Sequence, residues 1–153
     1  MSAPAIRRVV TGHNDDGVSI VALDEHAQGE SVTQIWETPP MSNNIDDFEN
    51  GQRQPGRSVP KGSALRIADL PPGHRSAMHR TLTVDYVFIL EGELEMELDG
   101  GEWVHLNAGD ILVQRGTMHA WENKSDRPCR MAAILIGAEP VVVNGQTLEP
   151  TMT

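Results

Sequence analysis

GHRSAMHRTLTVDYVFILEGE (residues 73–93) and GDILVQRGTMHAWEN (residues 109–123) decide the fold. Short runs of β-branched and aromatic residues alternate there with turns that contain Gly, the pattern of closely spaced strands. His79 and Asp85 are six positions apart, which on one straight strand would separate them by about 20 Å. For both to face one point, residues 80–83 must bend and Asp85 must open the next strand beside His79. Parity then puts Asp85, Val87 and Ile89 on one face of that strand and Val84, Tyr86, Phe88 and Leu90 on the other. A carboxylate that shares a face with Val and Ile needs a partner: a metal, an Arg or a hydrogen-bonded His. His119 lies just past Gly116 with Trp121 on its face, Gln114 stands on the other side of the turn, and Asn123 is placed to tie down the next one.

The strand pattern extends in both directions. Residues 6–11 and 18–23 flank the turn GHNDDG, and residues 32–37 alternate. Residues 64–70, 76–80 and 84–90 follow. In residues 93–98, Leu94, Met96 and Leu98 alternate with Glu93, Glu95 and Glu97, one face to the core and one to water. Residues 103–106, 110–114, 118–122 and 129–136 complete the series, and 141–148 read as a terminal hairpin around Asn144-Gly145. Residues 38–62 break the pattern with Pro, Gly and polar residues. A stretch this long is either a flap over the mouth, with Met41 and Phe48 as apolar contacts, or a surface loop. The expected fold is all-β, a jelly-roll or double-stranded β-helix barrel in one domain spanning 1–153, with its core at about 63–137.

Composition narrows the partners. The chain of 153 residues carries a net charge of −10 and no Lys/Arg cluster, so neither nucleic acid nor an anionic membrane is an expected partner. Cys129 is the one cysteine, so no internal disulfide can form. No apolar run approaches the about 20 residues of a membrane span, and the start lacks a signal-peptide pattern; a cytoplasmic protein is expected.

His79, His119 and Asp85 are the candidate metal ligands. Two imidazoles and a carboxylate suit Fe(II), and also Zn, Mn or Ni. The alternative for the histidines is an ordinary surface or core role, and for Asp85 an ion pair with Arg80 or Arg115. Trp121, Arg115, Tyr86 and Gln114 are the substrate-binding candidates. Arg115 could hold a substrate carboxylate or be a solvated turn arginine, and Trp121 and Tyr86 could equally be packing. No catalytic residue beyond the ligand set is assigned.

These two stretches resemble the paired motifs of the cupin family. Gly73, His79, Asp85 and Gly92 fall in the register of the first motif, usually G-x5-H-x-H-x3/4-E-x6-G. Gly109, Gly116, His119 and Asn123 match the second, usually G-x5-P-x-G-x2-H-x3-N. Thr81 replaces the second His of the first motif, Asp85 replaces its Glu, and Gln114 stands near the usual Pro. The resemblance implies a barrel that either keeps a facial triad of ligands or has lost tight metal binding. It also implies a homodimer and a small-molecule ligand. The implied function is a metal-dependent enzyme of the oxidoreductase or dioxygenase kind. A metal-dependent decarboxylase or isomerase is the alternative within enzymes, and a binding cupin without turnover is the alternative outside them.

Overall fold

The structure is a computed structural model and describes residues 5–14, 16, 18–38 and 61–152. Residues 39–60, which include Met41 and Phe48 and most of the expected flap, lie outside the described residues. The elements are strands throughout: β1 (Ile6–His13), β2 (Ser19–Ala27), β3 (Val32–Thr38), β4 (Ser63–Leu70), β5 (His79–Arg80), β6 (Thr83–Glu91), β7 (Glu93–Leu98), β8 (Trp103–Asn107), β9 (Ile111–Arg115), β10 (His119–Glu122), β11 (Cys129–Gly137), β12 (Val141–Val143), β13 (Gln146–Leu148) and β14 (Thr151–Met152).

Two five-stranded antiparallel sheets form the barrel, one in the order β3-β4-β11-β6-β9 and the other in the order β14-β5-β10-β7-β8. β1 and β2 pair as a separate hairpin, as do β12 and β13. The core lies between the large sheets. Leu70, Val87, Ile89 and Met131 of the first meet Leu94, Met96, Leu106 and Trp121 of the second. Alternation decides which residues enter it. Thr83, Asp85, Val87 and Ile89 are buried along β6, whereas Tyr86 and Leu90 are exposed. Leu94 and Met96 are buried on β7, and the intervening Glu95 and Glu97 stay at the surface, where they meet His105 and Arg75. This is the all-β double-stranded β-helix that the strand series implied.

The bend expected at residues 80–83 is a change of sheet: β5 belongs to one and β6 to the other, with Thr81 and Leu82 crossing between them. Residues 76–80 were expected to form one strand, but only His79 and Arg80 do. Their approach is instead held to the end of β10. Gly73 N–H donates to Asn123 O, Asn123 N–H to His74 O, and Ser76 N–H to Trp121 O, at 2.8–2.9 Å. Asn123 is fully buried and anchors this join. Its Nδ2 donates to Leu70 O and Arg127 O at 2.8 Å each, and its Oδ1 accepts from the backbone and hydroxyl of Ser125. Gly92 turns β6 into β7 at φ 76°, and a Cβ there would lie 2.6 Å from Pro128 O. Both the sign of φ and the close approach require glycine.

Asn123→Asp keeps the size but cannot donate to either carbonyl. It should lower unfolding free energy by ~3 kcal/mol, more than a surface substitution does. Urea denaturation at neutral pH reads this, and an unchanged midpoint would show that the two carbonyls find other donors.

Candidate metal and ligand site

Backbone pairing assembles the two histidines. β5 and β10 are antiparallel neighbours, and His79 is the register partner of His119. Their ring centroids are 4.2 Å apart, tilted by 50°. Trp121 meets His119 edge-on at 5.5 Å. The turn that feeds His119 into place passes through Gly116 at φ 61°, and the Gly116 carbonyl accepts from Arg80 Nε at 3.0 Å, locking the two strand ends together.

The hydrogen bonds fix the tautomers. His79 Nδ1 is 2.9 Å from Ala77 O, and His119 Nδ1 is 3.0 Å from Thr117 O. A carbonyl oxygen only accepts, so both Nδ1 atoms carry the proton and both Nε2 atoms present a lone pair. Backbone support on Nδ1 is how ligating imidazoles are commonly oriented. His119 is 1% exposed, and burial holds it down to about 4, against the slight upward pull of its bond to Thr117. It is neutral at pH 7.

Asp85 comes from the opposite sheet. Burial pushes its carboxyl above the ordinary range, and a hydrogen bond from Thr83 and the charges of Arg66 and His79 oppose that push. Gln114 is its register partner on β9. The Gln114 Nε2 lies 3.3 Å from Asp85 Oδ2 and 3.2 Å from His119 Nε2, so one amide group donates to both. Asp85 Oδ1 and Gln114 Oε1 are buried with no hydrogen-bond partner. Among the described residues no three His, Cys, Asp or Glu side chains stand close enough together to hold an ion. The Gln114 amide is what separates the carboxylate from His119. Two imidazoles, a carboxylate and an amide oxygen are donor types that a divalent ion of borderline hardness takes, although in this arrangement they do not close on one point.

A cavity of about 630 Å³ opens on this group. His79, Asp85, His119 and Trp121 all line it, with Arg66 and the apolar Val87 and Leu135 among its walls. Of the four substrate-binding candidates, Trp121 alone lines this cavity; Gln114 sits behind Asp85 and His119. Tyr86 points outward from the other face of β6, as parity requires, and does not reach the cavity. Arg115 is exposed beside a smaller cavity of about 150 Å³ near Arg80 and Thr83. Neither Arg80 nor Arg115 pairs with Asp85. His105 is exposed and bonded to Glu95, which raises its pKa. Two contributors escaped the sequence reading. Arg66 shares the inward parity of Ala64, Ala68 and Leu70, a signal that was there to be used. β14 adds Thr151 to the cavity wall beside β5, and its two residues carry no pattern to find.

Two facing sheets with paired imidazoles on the wall of a largely apolar cavity define a small β-barrel. Residues 66–136 match the model of the cupin domain. The chain is 33% identical over 162 residues to a cupin-domain-containing oxidoreductase of Neurospora crassa, across 96% of this chain and 83% of that protein. It is 46% identical over 95 residues to phomopsin biosynthesis cluster protein C' of Diaporthe leptostromiformis, across 61% of this chain and half the length of that relative. A solved Cupin 2 conserved barrel domain protein from Salinispora arenicola is 23% identical, with TM-score 0.47 over 56% of this chain and 71% of that one. The chain belongs to the cupin family.

His119 gives stability a sign with pH. Its folded pKa lies below its unfolded value of about 6.5. Between pH 6.5 and about 4 the unfolded chain therefore binds the extra proton, and stability falls as pH falls. Asp85, whose folded pKa is raised, acts oppositely, losing stability as pH rises from the unfolded value of about 3.9. Chelator-treated protein should lose ~2 kcal/mol more between pH 6.5 and 4.5 than His119→Gln does, measured by urea denaturation. Parallel pH profiles would show that His119 protonates as readily folded as unfolded.

Proposed function

We propose that this cupin is a metal-dependent oxidoreductase that acts on a small organic molecule held in the cavity. The observation that carries the reading is the pair of facing imidazoles, whose backbone-bonded Nδ1 atoms leave both Nε2 atoms unprotonated, on the wall of a cavity that Asp85 also lines. His79, His119 and Asp85 would hold the ion. Fe(II) is the first choice, and Zn, Mn or Ni would also suit. Such an ion supplies Lewis-acid chemistry and, if iron, one-electron chemistry. The relatives named for oxidation and for a biosynthesis cluster support this choice over a decarboxylase or isomerase.

The chain's own residues do the rest. The apolar walls and Trp121 exclude water from the reacting end of the substrate. Asp85 Oδ1, raised towards neutrality by burial, completes the ligand set or takes a proton from the substrate. Gln114 must give up its bond to Asp85 or to His119 for the carboxylate and the two imidazoles to close on one ion.

A second reading rests on that same amide. Asp85, Gln114 and His119 form a hydrogen-bonded chain that needs no ion, as a cupin that binds a small molecule without turnover would have. Elemental analysis of protein purified without chelator, then reconstituted anaerobically with Fe(II), separates the two. The enzyme reading expects about one transition metal per chain, reduced about tenfold or more in His79→Ala, His119→Ala and Asp85→Ala with circular dichroism unchanged. Metal-free wild-type protein after reconstitution would remove the first reading.

A homodimer through the outer face of β6 and β9 belongs to the same proposal. Tyr86 and Val113 are register partners there, and both are exposed together with Leu90 and Ile111. An apolar strip on a sheet face suits a self-complementary contact. Light scattering should give a dimer mass for the wild type and a monomer for Ile111→Glu. A monomeric wild type would dispose of the dimer.

A further inference from the structure

Arg66 is the unexplained charge of the barrel. It lies on β4, paired with Ala133 of β11 on one side and Gln34 of β3 on the other, and lines the cavity. Its Nε and Nη2 are buried and have no hydrogen-bond partner among the described residues. Burial weighs against its charged form, and the charges of Glu37 and Asp85 offset this only from a distance. The contrast with other arginines is direct. Arg7 holds Asp24, Arg75 holds Glu97 and Glu122, and Arg130 holds Asp69. A guanidinium stays protonated under any physiological condition, so its buried donors cost free energy until an acceptor arrives.

The two orphaned atoms say what shape of acceptor fits. Nε–H and Nη2–H lie side by side on one edge of the guanidinium, at the spacing that takes both oxygens of a single carboxylate. The walls beside it are apolar: Ala68, Val87, Met131, Ala133, Leu135 and Trp121. A cavity of this size is suited to a small organic molecule.

We propose that the cavity takes a small apolar organic acid and that the Arg66 guanidinium turns its unpartnered edge out of the wall to receive the carboxylate, leaving the apolar body against the walls near His79 and His119. This rests on reading the cavity as the substrate site, and it does not depend on the metal. It moves the anion-binding role from Arg115, which does not line the cavity, to a residue that does and whose Nε and Nη2 lie unpartnered within its wall. Arg66 becomes the residue that selects for an acid.

The test uses the full chain, stripped of metal by chelator, with benzoate and naphthoate as probes and benzamide and naphthamide as their neutral counterparts. Titration calorimetry should show each acid binding about tenfold or more tightly than its amide. Arg66→Gln should abolish that preference and leave amide affinity unchanged. Arg66→Lys keeps the charge but not the fork, and should retain only part of the preference. If Arg66→Gln does not fold by circular dichroism, the wild-type and Arg66→Lys titrations decide. Equal affinity for acid and amide, no acid binding at millimolar concentration, or unchanged acid preference in Arg66→Lys and Arg66→Gln would overturn the proposal. Wild-type protein that stays metal-free after reconstitution with Fe(II) yet prefers acids would overturn the metal-enzyme reading alone. Metal-loaded protein that ignores the carboxylate would overturn this inference alone.

Discussion

One backbone register holds the site together: β5 pairs with β10 so that His79 stands opposite His119. β5 has only two residues, too few to specify its own register. The specification comes from either side of it. Before it, residues 73–76 are bonded to 121–123, and the buried Asn123 ties that join to Leu70 and Arg127. After it, Arg80 is held by the Gly116 carbonyl, and Thr81 and Leu82 carry the chain into the other sheet. A slip of one residue would turn His79 away from the cavity. The motif residues that look like ligand spacing are therefore as much about register as about chemistry.

That division explains how much could be read from the residues alone. The barrel was legible because alternation is a local signal: Asp85, Val87 and Ile89 went inward and Tyr86 outward as parity required. A bend between His79 and Asp85 followed from chain geometry, since no straight strand could bring them together, but it was read as a turn into the neighbouring strand, whereas it carries the chain into the other sheet. The convergence of His79 and His119 was likewise legible from spacing. What sits between side chains was not. The position of Gln114, with its amide between Asp85 and His119, is set by pairing of β9 with β6, a long-range contact no local pattern encodes. Arg115, just before the His119 turn, could be read as a carboxylate binder or as a solvated turn arginine, and strand parity sends it to the surface while Gln114 goes in. Arg66 carries the inward parity of Ala64, Ala68 and Leu70, but alternation alone does not tell a buried charge from one at the sheet's rim.

Burial sets the protonation states around the cavity. The same desolvation that keeps His119 neutral, and so able to offer a lone pair, pushes Asp85 towards its neutral form. A carboxylate there is fully charged only with a compensating positive group. Arg66 contributes at a distance, and a divalent ion would contribute at contact. An organic acid on Arg66 would withdraw part of that compensation, so substrate anion and Asp85 charge would be coupled through one guanidinium. The two proposed roles of the cavity, holding an ion and holding an acid, therefore favour each other: a cation near Asp85 frees Arg66 for a second anion.

Thr81 stands where the family motif places a second histidine. Its hydroxyl lies 2.8 Å from that of Thr83. Thr83 in turn is among the groups that pull the Asp85 carboxyl down against the push of burial. Gln114 holds the same carboxylate from the other side. Asp85 is thus held without an ion, and for it and the two imidazoles to share one, Gln114 would have to release Asp85 or His119. On the proposed reading, Thr81 would leave the fourth ligand's position open beside a cavity wide enough for a substrate.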